Sequence, residues 1–350
     1  MKLNMGLIGT GGIAFDKHLP EYAKLSDKVT IAAAADVSQA NLERACQAYG
    51  IPKRFTDYKQ LLALEELDFV VVALPNTLHA QVTIEALQSG KHVHCEKPMA
   101  TAAADAEAMV AAAEKANRML MIGLNNRFLP QTTHVKRLID DGALGDIYHV
   151  NAFWKRDAGL PFSAWQVTAG LAGGGCLTDI GVHMLDLSLY LLGFPAVSDV
   201  RAASHRKFSG TPDRASFTYN GVRLPDGLPF DTEDLVSAWV RFANKTTLSL
   251  ECSWASFIEE ECAGYDLYGT QGGVQYRKRP GKQPELKIFT LQNGQLTASV
   301  PRFAPVVFDP GEFTNFLDCV GGAPVPPVAD PASAVHTVRL IEAIYAQTNA

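Results

Sequence analysis

The chain has 350 residues, 19% charged and 47% hydrophobic, the balance of an ordinary soluble globular protein with room for two domains. Its formal net charge of -6 gives no electrostatic reason to bind nucleic acid or an anionic membrane, and no apolar run approaches the ~18 residues of a membrane span. The first expected strand starts almost at Met1, so no signal peptide is expected, and the scattered cysteines, with no Cys-x-x-Cys spacing, read as reduced core residues of a cytoplasmic protein.

The first expected strand, residues 2–8, runs straight into Gly9-Thr10-Gly11-Gly12-Ile13-Ala14. This is the G-x-G-x-x-A form of the dinucleotide fingerprint, placed at a strand-to-helix turn. Gly9 permits the tight turn, Gly11 lets a pyrophosphate approach the backbone, and Ala14 lets a helix over 12–25 pack closely on the strand. That helix's N-terminus offers free N–H groups, among them those of Gly12 and Ile13, and the positive end of its dipole. The second strand, 29–36, ends on Asp36. A carboxylate there suits both hydroxyls of an adenosine ribose and repels a 2′-phosphate, so NAD is expected in preference to NADP. Ser38 can cap the helix over 39–49, which leaves Asp36 for the ribose.

Helices over 58–63, 79–89 and 102–117 then alternate with strands over 68–74, 92–96 and 119–123. Residues 69–73 are apolar on both faces, as a central parallel strand must be. The first part is therefore expected to be a doubly wound parallel α/β domain of the Rossmann type over 1–124. In the remainder, 125–350, a helix over 132–141 and a strand over 146–154 lead to a loop rich in glycine and aromatics, then to an apolar helix over 176–192. Val236, Ala238, Val240 and Phe242 share one face of a strand over 235–242; Leu248, Leu250, Cys252 and Trp254 do the same over 246–254. Such alternation predicts a large open, mostly antiparallel sheet with one buried face, in an α+β domain. Further strands fall near 263–269, 273–279 and 285–291, and helices over 311–320 and 331–347. The polar, Gly/Pro-rich stretch 206–231 reads as a surface excursion.

Two groups carry chemistry. Glu96-Lys97-Pro98 ends the strand over 92–96, and ligands of an open α/β sheet sit beyond the carboxyl ends of its strands. Lys97 is aimed at the crevice where a nicotinamide would lie, held extended by the following proline; the alternative is a surface lysine paired with Glu96. The second group is Asp179, His183 and Asp186 on the apolar helix. Asp179 and His183 are i,i+4 neighbours, a spacing that suits a carboxylate-oriented proton-transfer histidine. A three-ligand metal site and a core histidine are the competing readings.

Together these residues resemble the Gfo/Idh/MocA oxidoreductases over nearly the whole chain. The motifs that carry the resemblance are the loop at 9–14, Pro75-Asn76 with His79, Glu96-Lys97-Pro98, residues 123–128, and 173–193. The resemblance implies catalytic roles for Lys97, Asp179 and His183, with no metal required. It implies that Leu74, Pro75, Asn76 and His79 pack near the nicotinamide and its ribose, that Glu96 contacts that ribose, and that Asn125 and Arg127 face the nicotinamide and the substrate pocket. Trp154, Arg156 and Trp165 become expected substrate contacts: an indole suits the C–H face of a sugar and a guanidinium its hydroxyls. The implied activity is NAD-dependent oxidation of a secondary alcohol of a sugar, polyol or inositol, in a homodimer or homotetramer built on the C-terminal sheet. A redox-neutral enzyme that retains NAD, and a non-catalytic NAD-binding regulator, are the alternatives. The dehydrogenase reading requires the Lys97 ammonium to meet the Asp179–His183 couple over one reactive ring.

Overall fold

The computed structural model describes residues 2–161, 163–208, 230–304 and 310–348, and the chain forms two compact units. One comprises Met1–Asn125 with Phe308–Val335, the other Asn126–Val307 with His336–Ala350. The segment 308–335, which the sequence reading placed with the C-terminal half, therefore belongs to the first unit.

The first unit is built on a parallel sheet of Leu3–Ile8 (β1), Val29–Ala35 (β2), Lys53–Phe55 (β3), Phe69–Val72 (β4), His92–Cys95 (β5) and Leu120–Ile122 (β6), in the order β3-β2-β1-β4-β5-β6. All four residues of β4 are fully buried, as its apolar run requires. The order reverses between β1 and β4, and this switch point carries the glycine loop. The helix expected over 12–25 instead opens with a π-helical turn, Ala14–His18, and continues as an α-helix, Leu19–Lys24.

The second unit holds an eight-stranded sheet of Ile147–Lys155 (β7), Val197–His205 (β8), Leu235–Phe242 (β9), Thr247–Ser253 (β10), Cys262–Gly269 (β11), Gly272–Lys278 (β12), Glu285–Gln292 (β13) and Gln295–Ser299 (β14). Its order is β14-β13-β12-β11-β7-β10-β9-β8, antiparallel throughout except where β7 runs parallel to β10. Val236, Ala238, Val240 and Phe242 of β9, and Leu248, Leu250 and Cys252 of β10, lie on the buried face with Trp254, as their alternation demands. Residues 209–229 of the excursion expected at 206–231 lie outside the described residues.

The apolar helix over 176–192 is likewise composite. A π-helical turn, Leu177–Gly181, precedes an α-helix, Val182–Leu192, so Asp179 and His183 sit on either side of the join. Such turns recur at functional sites because they widen the helix and re-aim its side chains. One expectation is corrected here. The stretch Ala169–Leu192 is, at 24 residues, long and apolar enough by composition to cross a membrane. In its most apolar window 78% of the residues are buried, so the demands of the core account for its hydrophobicity.

Candidate functional site

In the first unit the glycine loop has a definite inside and outside. Gly9 adopts φ +91°, and a Cβ there would lie 2.1 Å from the Ala73 carbonyl oxygen, so only glycine lets β1 and β4 close around the turn. At Gly11 and Gly12 a Cβ would meet nothing within 4 Å, and Ile13 is exposed. The backbone is bare on the side a pyrophosphate would approach. Asp36 closes the loop: its carboxylate accepts from the Thr10 backbone N–H at 2.7 Å, the Thr10 hydroxyl at 2.9 Å and the Ser38 N–H at 2.7 Å. Ser38 caps the following helix through the Asn41 N–H at 3.3 Å. Asp36 is thus an anchored, half-buried acceptor at the end of β2.

Two residues expected at the cofactor, His79 and Glu96, are buried. His79 is buried, its Nδ1 2.7 Å from the Pro98 carbonyl and its Nε2 2.9 Å from the Leu74 carbonyl. It ties the loop after β4, with Leu74, Pro75 and Asn76, to the loop after β5, with Lys97. Burial pushes its pKa down. Glu96, expected to contact the ribose, is buried and held by neighbouring groups. Its Oε1 accepts from His18 Nε2 at 2.9 Å and lies 3.5 Å from Lys17 Nζ, while Oε2 accepts from the Lys97 backbone N–H at 3.0 Å. Burial alone would raise the Glu96 carboxyl; Lys17 and the His18 hydrogen bond outweigh it and hold it well below the usual carboxylate range. Lys17 also pairs with Glu312 at 2.9 Å, and Glu312 accepts from His94 Nε2 at 2.9 Å while Tyr22 donates to His94 Nδ1 at 2.9 Å. Asn125, just past β6, has a buried Oδ1 with no hydrogen-bond partner among the described residues, an orphaned acceptor of the kind a bound amide satisfies.

In the second unit, Asp179, His183, Trp154 and Arg156 form one cluster. Asp179 Oδ2 accepts from the indole Nε1 of buried Trp254 at 2.9 Å and lies 3.8 Å from Arg156 Nη1. The His183 and Trp154 rings are 5.6 Å apart, and the Arg156 guanidinium stands 5.5 Å from the Trp154 ring centre. Trp154 Nε1 donates to Glu261 at 2.7 Å. The helix bearing Asp179 is anchored at its start by Glu233, which accepts from the N–H groups of Gly175 at 2.8 Å and Leu177 at 3.1 Å and from the Tyr345 hydroxyl at 2.9 Å. A carboxylate at a helix N-terminus satisfies free N–H groups and the dipole together, though burial raises the pKa of Glu233. Gly175 is required because a Cβ would lie 2.0 Å from the Glu233 carbonyl oxygen. Trp254, Glu261 and Glu233 were missed as site residues. Trp254 and Glu233 leave no local motif, and Glu261 lies 107 residues from the indole it accepts from.

Arg127, expected to face the substrate pocket, is placed in the core. It is fully buried, donates to Asp186 from Nε at 2.9 Å and Nη2 at 2.6 Å, and lies 5.2 Å from the ring centres of both Tyr190 and Phe194. Asp186, further held by Thr337 at 3.0 Å, is thereby committed to the core rather than to Asp179 and His183. Trp165 is half-buried on the short helix Ala164–Val167; among the described residues, no hydrogen bond or ring contact ties its side chain to the cluster.

Residues 3–124 match the family model described as an oxidoreductase family with an NAD-binding Rossmann fold, and residues 132–275 match the GFO/IDH/MocA C-terminal domain. The chain belongs to the Gfo/Idh/MocA family. This Gfo/Idh/MocA chain is 32% identical to levoglucosan dehydrogenase of Pseudarthrobacter phenanthrenivorans, over 82% of this chain and 76% of that protein. It is 30% identical to D-glucoside 3-dehydrogenase of Escherichia coli, over 98% of this chain and 94% of that protein. Among solved structures, a levoglucosan dehydrogenase complexed with NADH and L-sorbose superposes with a TM-score of 0.84 at 25% identity, covering 100% of this chain and 97% of that one. The aldose–aldose oxidoreductase of Caulobacter crescentus, complexed with glycerol, gives 0.81 at 27% identity, covering 100% and 98%.

Proposed function

We propose that this oxidoreductase oxidises a secondary alcohol of a sugar, polyol or inositol, using NAD. The bare Gly11–Gly12 backbone, the anchored Asp36 acceptor and the orphaned Asn125 oxygen fit such a cofactor. When bound, NAD supplies a nicotinamide ring that accepts the hydride of the alcohol carbon. The chain's own task is to handle the hydroxyl proton. His183 takes that proton at an imidazole nitrogen, and the nearby Asp179 carboxylate, fixed by Trp254, favours the imidazolium that results. Lys97 donates a hydrogen bond to the reacting oxygen and stabilises negative charge as the proton leaves. Trp154 offers an indole face to the C–H face of a sugar ring.

The observation that carries this reading is the assembly of Asp179, His183, Trp154 and Arg156 into one partly exposed cluster. Its test is a panel of sugars, glycosides, inositols and their keto forms, read by NADH absorbance with NADP as control. Turnover on sugars that falls by more than about a hundredfold in Lys97→Ala and in His183→Ala, with NADH binding retained, is the expected result. Loss of turnover and NADH binding together in Lys97→Ala would make Lys97 structural. Product formation without added NAD would instead favour a redox-neutral enzyme.

The open face of the eight-stranded sheet presents Tyr148, Trp239 and Tyr268. We read it as the contact of a homodimer or homotetramer, because clustered exposed aromatics mark interaction surfaces. Light scattering on the purified chain checks this. The free state of all six cysteines supports a cytoplasmic setting.

A further inference from the structure

The charges around Arg156 point to the class of sugar accepted. Arg156 lies beside the Asp179 carboxylate, and both its flanks are occupied. Its Nε lies 3.4 Å from Glu261 Oε1 and its Nη1 3.8 Å from Asp179 Oδ2. Nη1 also donates to the Gly159 carbonyl at 3.4 Å. Its stem lies against Gly159, where a Cβ would come within 2.2 Å of Arg156 Cδ. Above it stands the Trp154 ring, whose own N–H is held by the same Glu261 oxygen at 2.7 Å. The three charged side chains are partly exposed, at 16% for Arg156, 20% for Glu261 and 25% for Asp179. One fixed guanidinium thus lies between two carboxylates, beside the indole that packs against His183, and this trio carries one net negative charge. Lys278, at the end of β12, is also in electrostatic reach of Glu261; burial lowers its pKa and Glu261 opposes that shift.

We propose that Glu261 is a specificity-determining residue that commits this wall to uncharged polyhydroxylated substrates and rejects their phosphorylated or carboxylated counterparts. The inference rests on the reading that Asp179 and His183 receive the substrate. A neutral sugar uses the wall as it stands: the carboxylate oxygens accept from hydroxyls and the guanidinium edge donates to them. At this wall a phosphate or uronate meets Arg156 already engaged on both sides. It must take Arg156 from two carboxylates already in place, and it then lies against both in a partly desolvated site. An arginine recognises phosphate strongly only when its donor fork is free for it.

The test compares a neutral sugar from the active panel with its own 6-phosphate, using the full chain and saturating NAD. Wild type is expected to favour the neutral sugar in kcat/KM by about a hundredfold or more, equivalent to two like-charge contacts of about tenfold each. Glu261→Gln keeps the side-chain volume and an oxygen for the Trp154 N–H but removes the charge. Whatever it does to the rate on neutral sugar, it should raise the phosphate-to-neutral ratio by about tenfold. Glu261→Asp retains the charge and should leave the ratio near that of wild type, which separates charge from packing. Comparable kcat/KM for the two sugars in wild type, or a ratio unmoved by Glu261→Gln, overturns the proposal while the dehydrogenase reading stands. Absence of turnover on every sugar, with NADH binding intact, overturns both.

Discussion

Replacing Arg127 with methionine separates a core role from a substrate role. In the folded chain its guanidinium makes a bidentate contact to Asp186 at 2.9 and 2.6 Å, and both side chains are almost wholly excluded from water. Methionine fills much of the same volume but leaves the Asp186 carboxylate buried, with Thr337 Oγ1 at 3.0 Å as a neutral donor. Breaking one side of such a pair costs about 3–5 kcal/mol, because an uncompensated charge stays inside. For a unit of this size that corresponds to a fall in Tm of roughly 6–20 °C. Removing both charges, as Arg127→Met with Asp186→Leu, should recover at least about 2 kcal/mol of the loss, since two apolar side chains do not conflict. The assay is thermal and urea unfolding of the single and double variants, alongside KM for the best sugar. A single variant that melts within about 2 °C of wild type while its KM rises tenfold or more would refute the buried-pair account. It would return Arg127 to the substrate pocket.

The glycine loop offers a paired contrast. Gly9→Ala should abolish stable folding of the nucleotide unit, because its Cβ would strike the Ala73 carbonyl; circular dichroism and melting check this. Gly11→Ala meets no protein atom, so it should melt like wild type yet weaken NADH binding by at least about tenfold in a fluorescence titration. Asp36→Asn keeps an acceptor for Thr10 but removes the charge, and the NADP-to-NAD ratio of kcat/KM should rise by about tenfold. Glu312 supplies a pH signature. Burial alone would raise its carboxyl, but Lys17 and then His94 bring it down from 4.5 to about 2. A depressed carboxylate contributes stability that is complete above its unfolded pKa and is lost as pH falls toward the folded one. Wild type should therefore lose about 3 kcal/mol between pH 4.5 and 2 through this group, and Glu312→Gln should flatten that part of the stability profile.

What the sequence made legible follows burial. Strands β1, β2, β4, β9 and β10 are interior, and their apolar runs or strict alternations show in the residues alone. The strands that pattern reading missed, β3, β8 and β14, are all sheet edges. An edge strand is half solvated: β3 is the charged Lys53-Arg54-Phe55, and in β8 Val200 alone is buried. The glycine loop and Asp36 were legible because a local turn and one acidic side chain carry that chemistry. The partners that fix the site were not. Trp254 lies 75 residues from Asp179, Glu233 is 58 from Gly175, and Asp186 is 59 from Arg127. A carboxylate's partner is set by the folded register, which no short motif records. Arg127 shows the same limit: sequence gives its charge but not the acid that pairs with it in the core.

The return of residues 308–335 to the nucleotide unit has a consequence for how that unit comes into being. Glu312 joins His94 across 218 positions and Lys17 across 295. During synthesis, at roughly 5–20 residues per second, the emerging first 125 residues wait roughly 10–40 s before Glu312, the second acid beside Lys17, is even made. A fragment ending at Leu124 would never receive it. To transplant this nucleotide module into another protein, an engineer must carry the distant helix along, splicing Phe308–Val335 back through a linker.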